Sequence, residues 1–160
     1  MNHYNDMSNE LIEKKISQMQ ALIEQLAEIL KRPFSEFHTD LLAVRAAERN
    51  FQLLADIAID INNQIILEAG KETPDTYRQS FLCLGREKIL PLALAETLAE
   101  SAKLRNILVH EYDFEEDYQL FYESAKRFLP VYHEYLVVIQ KYISNEKRVV
   151  CRHRFRAGGW

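Results

Sequence analysis

The sequence predicts an all-α fold, an up-down bundle of about five helices. Three observations predict it. Apolar residues recur at three- and four-residue steps over long stretches, the spacing of one helix face. No stretch alternates like a strand, and no Asn-Gly or Asp-Gly hairpin pair occurs. Only 4 Gly and 4 Pro are spread over 160 residues, so turns are few and elements long.

The first helix is expected from Ser8, a cap residue, with Glu10 in the first turn. Leu11, Ile12, Ile16, Met19, Leu22, Ile23, Leu26, Ile29 and Leu30 form its apolar face, and Pro33 ends it. The second starts near Thr39 or Asp40 and runs to Gly70, a natural C′ residue. Leu41, Val44, Ala47, Phe51, Leu54, Ile57, Ala58, Ile61, Ile65 and Ile66 supply its stripe. Some 30 residues at about 1.5 Å each span about 45 Å, the length of a bundle's spine. The third opens at Thr73-Pro74, a cap followed by proline at N1, and stops around Gly85. Pro91 opens the fourth, which ends in "RNILVHEY". Asp113 and Glu116 form a D-x-x-E capping box for the fifth, in which Pro130 is expected to introduce a kink. That helix is expected to end its apolar stripe at Ile143, leaving residues 1–144 as one helical domain and 145–160 as a flexible basic tail.

Charge is unevenly placed. Residues 145–160 hold five Lys/Arg and one acid, a net of +4, while the first 144 carry 15 positive and 23 negative charges, a net of −8. Any nucleic-acid role must therefore come from a local site or the tail rather than the overall field. Cys83 and Cys151 lie too far apart for a disulfide framework or a zinc pattern, and Cys83 in "FLCL" reads as a small core residue. "MNHYNDMSNE" has no apolar core for a signal peptide, and no 18-residue apolar run exists. No membrane segment and a cytoplasmic location are the expectations.

A bundle invites a di-metal site, which wants Glu-x-x-His on facing helices. Ile107, Pro130 and Ser35 stand three before His110, His133 and His38, so that pattern is missing and no metal is expected. The P-loop, G-x-G-x-x-G, H-E-x-x-H and G-x-S-x-G motifs are also missing. Arg105, Asn106, His110 and Tyr112 remain. A plain helix end would also suit them, since cations favour a C-terminus. On a helix, Arg105 and Tyr112 share a face, and His110 lies about 140° from Arg105. Arg105 and His110 can meet one ligand only at a helix end or where a second chain completes the site. His3 and His153 fall in end segments, His38 reads as a loop or near-cap residue, and His133 as facing solvent or a groove. The acidic run "DFEEDY" is first a helix N-terminus and second a docking surface.

"RNILVHEY" resembles the Arg-x4–6-His-x-Tyr motif of the HEPN superfamily. In order along the chain, "AAERNFQLLADIAIDINNQII", "PDTYRQSFLCLG" and "RNILVHEYDFEEDYQLF" resemble the HepT toxins of MntA–HepT toxin–antitoxin systems, over residues 8–143. The resemblance implies a HEPN-like bundle forming a two-fold dimer, and a type VII-like toxin that is a metal-independent endoribonuclease without a cofactor. Arg105 and His110 match the family's catalytic pair. Tyr112 matches the tyrosine that an MntA-like nucleotidyltransferase antitoxin modifies with AMP from ATP. Asn106 matches a frequent polar companion. Asp56 or Asp60 could match acidic spine residues of some relatives, with no catalytic role carried onto either. The alternative is a non-catalytic helical module that binds a nucleotidyltransferase and its substrate.

Overall fold

The computed structural model describes the backbone of residues 2–110 and 117–157, and the side chains of residues 8–109 and 117–146. Among the described residues every regular element is a helix: α1 (Asn2–Leu30), α2 (Phe34–Phe37), α3 (Leu41–Glu68), α4 (Tyr77–Arg86), α5 (Leu92–His110) and α6 (Tyr118–Ala157). The single turn α2 fills the connection that the sequence left as a break at Pro33. No helix among the described residues is long and apolar enough to cross a membrane.

Helix α3 is the spine. It touches every other helix, and Val44, Ala47, Phe51, Leu54, Ala58, Ile61 and Ile65 are buried along it. Leu41, expected in its stripe, is exposed at the first turn, and Ile57 is only half-buried. Helix α1 runs antiparallel to it, as Lys15 pairs with Asp60 and Gln25 accepts from Asn50. Helix α6 closes the core with Phe121, Phe128, Tyr132, Tyr135 and Ile139. Phe51 is the aromatic hub, meeting Phe121 and Tyr132 edge-on at 6.3 and 5.9 Å. Helices α4 and α5 pack as a hairpin against α3, and α5 also meets α6.

Several ends follow the expected chemistry. Asp40 caps α3 by accepting the Ala43 N–H at 3.1 Å. That bond, then the Arg32 guanidinium, holds its carboxyl below the usual aspartate value. Gly70, at φ 73°, closes α3, with its N–H on Leu67 O and that of Lys71 on Ile66 O. The Pro91 carbonyl accepts the Ala95 N–H, so proline opens α5 as expected.

Other ends differ. Ser8 is no cap. Helix α1 begins at Asn2, and the Ser8 hydroxyl bonds to Glu68 and accepts from Gln64, tying α1 to the end of the spine. Helix α4 begins at Tyr77 rather than at Thr73-Pro74. Thr76, not Thr73, caps it, its hydroxyl accepting the Gln79 N–H at 3.2 Å, so the helix starts three residues later. Gly85 lies inside α4, whose end is closed by Lys88 at φ 58°. The capping box Asp113/Glu116 lies outside the described residues. Asp117 caps α6, accepting from Leu120 N at 3.0 Å. Pro130 sits within α6, where it has no N–H to offer the Lys126 carbonyl. Helix α6 continues for 40 residues to Ala157, past the boundary expected near residue 145. Between Pro130 and that end there is neither Gly nor Pro to stop it.

Candidate functional site

Arg105 lies on α5, one and a half turns before that helix reaches His110, with a side chain only 12% exposed. A cation so enclosed needs partners. Its Nε donates to Asp56 Oδ1 on α3 at 2.8 Å, and one Nη2 N–H donates to the Tyr77 hydroxyl at 2.9 Å. The Arg105 guanidinium carbon also stands 4.2 Å from the centroid of the Tyr77 ring. Three helices distant in sequence therefore converge on one guanidinium. Among the described residues, neither Asp56 nor Tyr77 engages Nη1.

The spine's two candidate acids part company here. Asp56 meets Arg105. Asp60, one turn on, is 59% exposed and pairs with Lys15 of α1. Asp56 also acts at a distance on the buried Tyr132, whose hydroxyl lies 2.8 Å from Ser101 Oγ. Burial pushes that phenol well above the ordinary tyrosine value, the Ser101 bond pulls it down in part, and the Asp56 charge raises it again.

Tyr77 is itself tethered. Ser80 Oγ donates to the Tyr77 carbonyl at 2.8 Å, and Asn62 Nδ2 donates to Ser80 Oγ at 3.2 Å. The Tyr135 hydroxyl reaches Asn62 Oδ1 at 2.8 Å and the Ala58 carbonyl at 3.1 Å, its single proton serving the two. Asn62, Ser80 and Tyr135 are all buried. Polar groups so placed cost stability unless bonded, and here they are bonded to one another.

Asn106 is exposed on α5 next to Arg105. The backbone of His110 is the last residue of α5; its side chain, and Tyr112 entirely, lie outside the described residues. His38 stacks on Phe34 at 4.9 Å and bonds its carbonyl, a local structural use, and His133 is exposed on α6. Tyr77 is the residue that sequence reasoning left without a role. Its one signal was its presence in "PDTYRQSFLCLG", where it looks like any first-turn aromatic.

A family model described as ribonuclease HepT-like matches residues 19–139. A tRNA nuclease HepT of Aphanizomenon flos-aquae is 45% identical over 76 residues, 46% of this chain and 50% of that protein, so the chain spans half of that relative's length. An mRNA nuclease HepT of Shewanella oneidensis is 28% identical over 104 residues, 65% of this chain and 77% of that one. The solved structure of the tri-AMPylated Shewanella oneidensis HEPN toxin in complex with MNT antitoxin superposes with a TM-score of 0.73 at 24% identity, over 81% of this chain and 96% of that one. That likeness shows the shared fold. The family match covers most of the helical bundle and all three helices that meet at Arg105, and the chain belongs to the ribonuclease HepT-like family.

Proposed function

We propose that this protein is the toxin of a type VII-like toxin–antitoxin pair, a cytoplasmic metal-independent endoribonuclease acting as a two-fold dimer. The observation that carries the reading is the pre-set guanidinium of Arg105, held by Asp56 and Tyr77 on the helix that ends in His110. A largely enclosed, oriented arginine whose Nη1 bonds neither Asp56 nor Tyr77 suits a phosphodiester. Its Nη1 edge donates to the non-bridging oxygens as negative charge grows on them. The ribose 2′-oxygen attacks the adjacent phosphorus, and the bond to the 5′-oxygen breaks. His110 takes the 2′-hydroxyl proton or delivers a proton to the departing 5′-oxygen. The products are a 2′,3′-cyclic phosphate and a free 5′-hydroxyl. The dimer brings a second Arg105/His110 set to the axis, so one histidine serves as base and the other as acid. Asn106, exposed beside Arg105, supports substrate binding.

Tyr112 is the regulatory handle. An MntA-like nucleotidyltransferase antitoxin transfers AMP to it: the phenol oxygen bonds the α-phosphorus of ATP, pyrophosphate leaves, and the phenol proton is lost. The adduct puts a phosphodiester negative charge two residues from His110, where it competes with RNA for Arg105. These roles fall on residues 1–144. The boundary at residue 145 is one of charge rather than of secondary structure.

The test is expression alone and with an MntA-like nucleotidyltransferase. Toxicity should appear alone, vanish with the partner, and vanish in Arg105→Ala and His110→Ala. Purified protein should cut RNA in excess EDTA and leave 2′,3′-cyclic ends. Tyr112→Phe should still cut but resist AMP transfer. A parent chain paired with a His110→Ala chain tests the dimer, since a site that uses both histidines would lose nearly all activity, whereas independent sites would keep about half. A pure, folded dimer without cleavage or toxicity would favour the adaptor module instead.

A further inference from the structure

We infer that Tyr77 is a positioning residue of the ribonucleolytic site, fixing the plane of the Arg105 guanidinium before RNA arrives. The inference rests on the reading of Arg105 as the phosphate-binding cation. A single ion pair does not orient a guanidinium. Asp56 contacts Nε through one oxygen, and the group can still pivot about that bond. Tyr77 removes the pivot in two ways. Its ring backs the guanidinium at 4.2 Å, and its hydroxyl accepts from Nη2 at 2.9 Å, a second point of attachment besides the Asp56 contact at Nε. A guanidinium whose plane is fixed in advance loses less rotamer freedom on binding.

Tyr77 is in turn held from two sides. Thr76 caps the helix at whose first position it stands, and Ser80 bonds its carbonyl. Ser80 takes the Asn62 amide, which takes the Tyr135 hydroxyl. The buried polar line from α6 through α3 to α4 thus ends on the residue that backs Arg105. These directional bonds act with the apolar packing of α4 on α3 to set its register.

The experiment compares Tyr77→Phe, which keeps the ring and loses the acceptor, with Tyr77→Leu, which loses both. Steady-state cleavage should show kcat lowered about 3- to 10-fold in Y77F and on the order of 30- to 100-fold in Y77L, with KM changed less than about twofold, as for misplaced catalytic groups. In parallel, the Nε–H resonance of Arg105, assigned by its loss in Arg105→Ala, should be protected from exchange in the parent and exposed in Y77L. Unchanged kcat and unchanged exchange in Y77L would overturn the role, as would a rise in KM alone. Should Y77L fail to fold, Y77F decides by the same two measurements. Full cleavage by Arg105→Ala would instead refute the reading of Arg105 as the phosphate-binding cation, and the exchange measurement would still report whether Tyr77 orders the guanidinium.

Discussion

Arg105 chooses between two acids one helical turn apart, and that choice has consequences that differ by position. Asp56 faces an arginine that is largely enclosed, so its loss leaves a cation in a half-buried site without its counter-charge. Asp60 meets Lys15 near solvent, where such pairs contribute about 0–1 kcal/mol. Asp56→Asn should therefore lower kcat by about 10- to 100-fold, as expected when a catalytic group is mis-set. Asp60→Asn should leave cleavage unchanged and move stability by no more than about 0.5 kcal/mol. Parallel initial rates and urea midpoints on the two variants check this. Arg105, Asn106, His110 and Tyr112 were legible as a group because they lie within one short stretch. Asp56 and Asp60 share a helix face, so periodicity could not say which one meets Arg105. Tyr77 contacts Arg105 across 28 residues of chain, and nothing local in "PDTYR" announces a contact made only by folding.

At the scale of elements, periodicity found the helices and end chemistry placed only some of their limits. Asp40, Gly70 and Pro91 do what their local chemistry suggests. Gly85 reads as a helix stop, yet it serves packing: a Cβ there would stand 2.8 Å from the Ala95 Cβ on α5. Gly85→Ala should push the hairpin of α4 and α5 apart and cost about 1–3 kcal/mol, measured by denaturant unfolding. The closing turn of α4 falls instead on Lys88 at φ 58°, with its N–H on Gly85 O and that of Ile89 on Leu84 O. A side chain in that left-handed conformation is strained by roughly 1–2 kcal/mol. Lys88→Gly relieves this and should raise stability by about 1 kcal/mol, less what glycine adds to the unfolded chain's freedom. The length of α6 escaped the sequence for a different reason. The apolar stripe read from the sequence ends at Ile143, so the expected element ends there too, whereas the helical backbone runs on to Ala157.

Across the whole molecule, two tyrosines of the core, Tyr132 and Tyr135, are fully buried. Burial raises both phenols above the ordinary value of 10.0. Unfolded, they ionise near about 10. Above that pH the unfolded chain gives up protons that the folded chain keeps, so unfolding gains. Their contribution is complete below pH about 10 and is lost as pH rises from there toward the folded values. Urea midpoints should therefore fall steeply between about pH 10 and 11.5, and these two phenolates should appear in the 295 nm absorbance only together with unfolding. The bond line from Tyr135 through Asn62 and Ser80 to Tyr77 has a kinetic meaning as well. Its donors and acceptors lie in the same core that must open for the chain to unfold. The arginine half of the site is thereby tied to the core's own unfolding. On slow heating, cleavage activity and helical circular dichroism should disappear at one temperature and return together on cooling, so that heat inactivation is global melting itself.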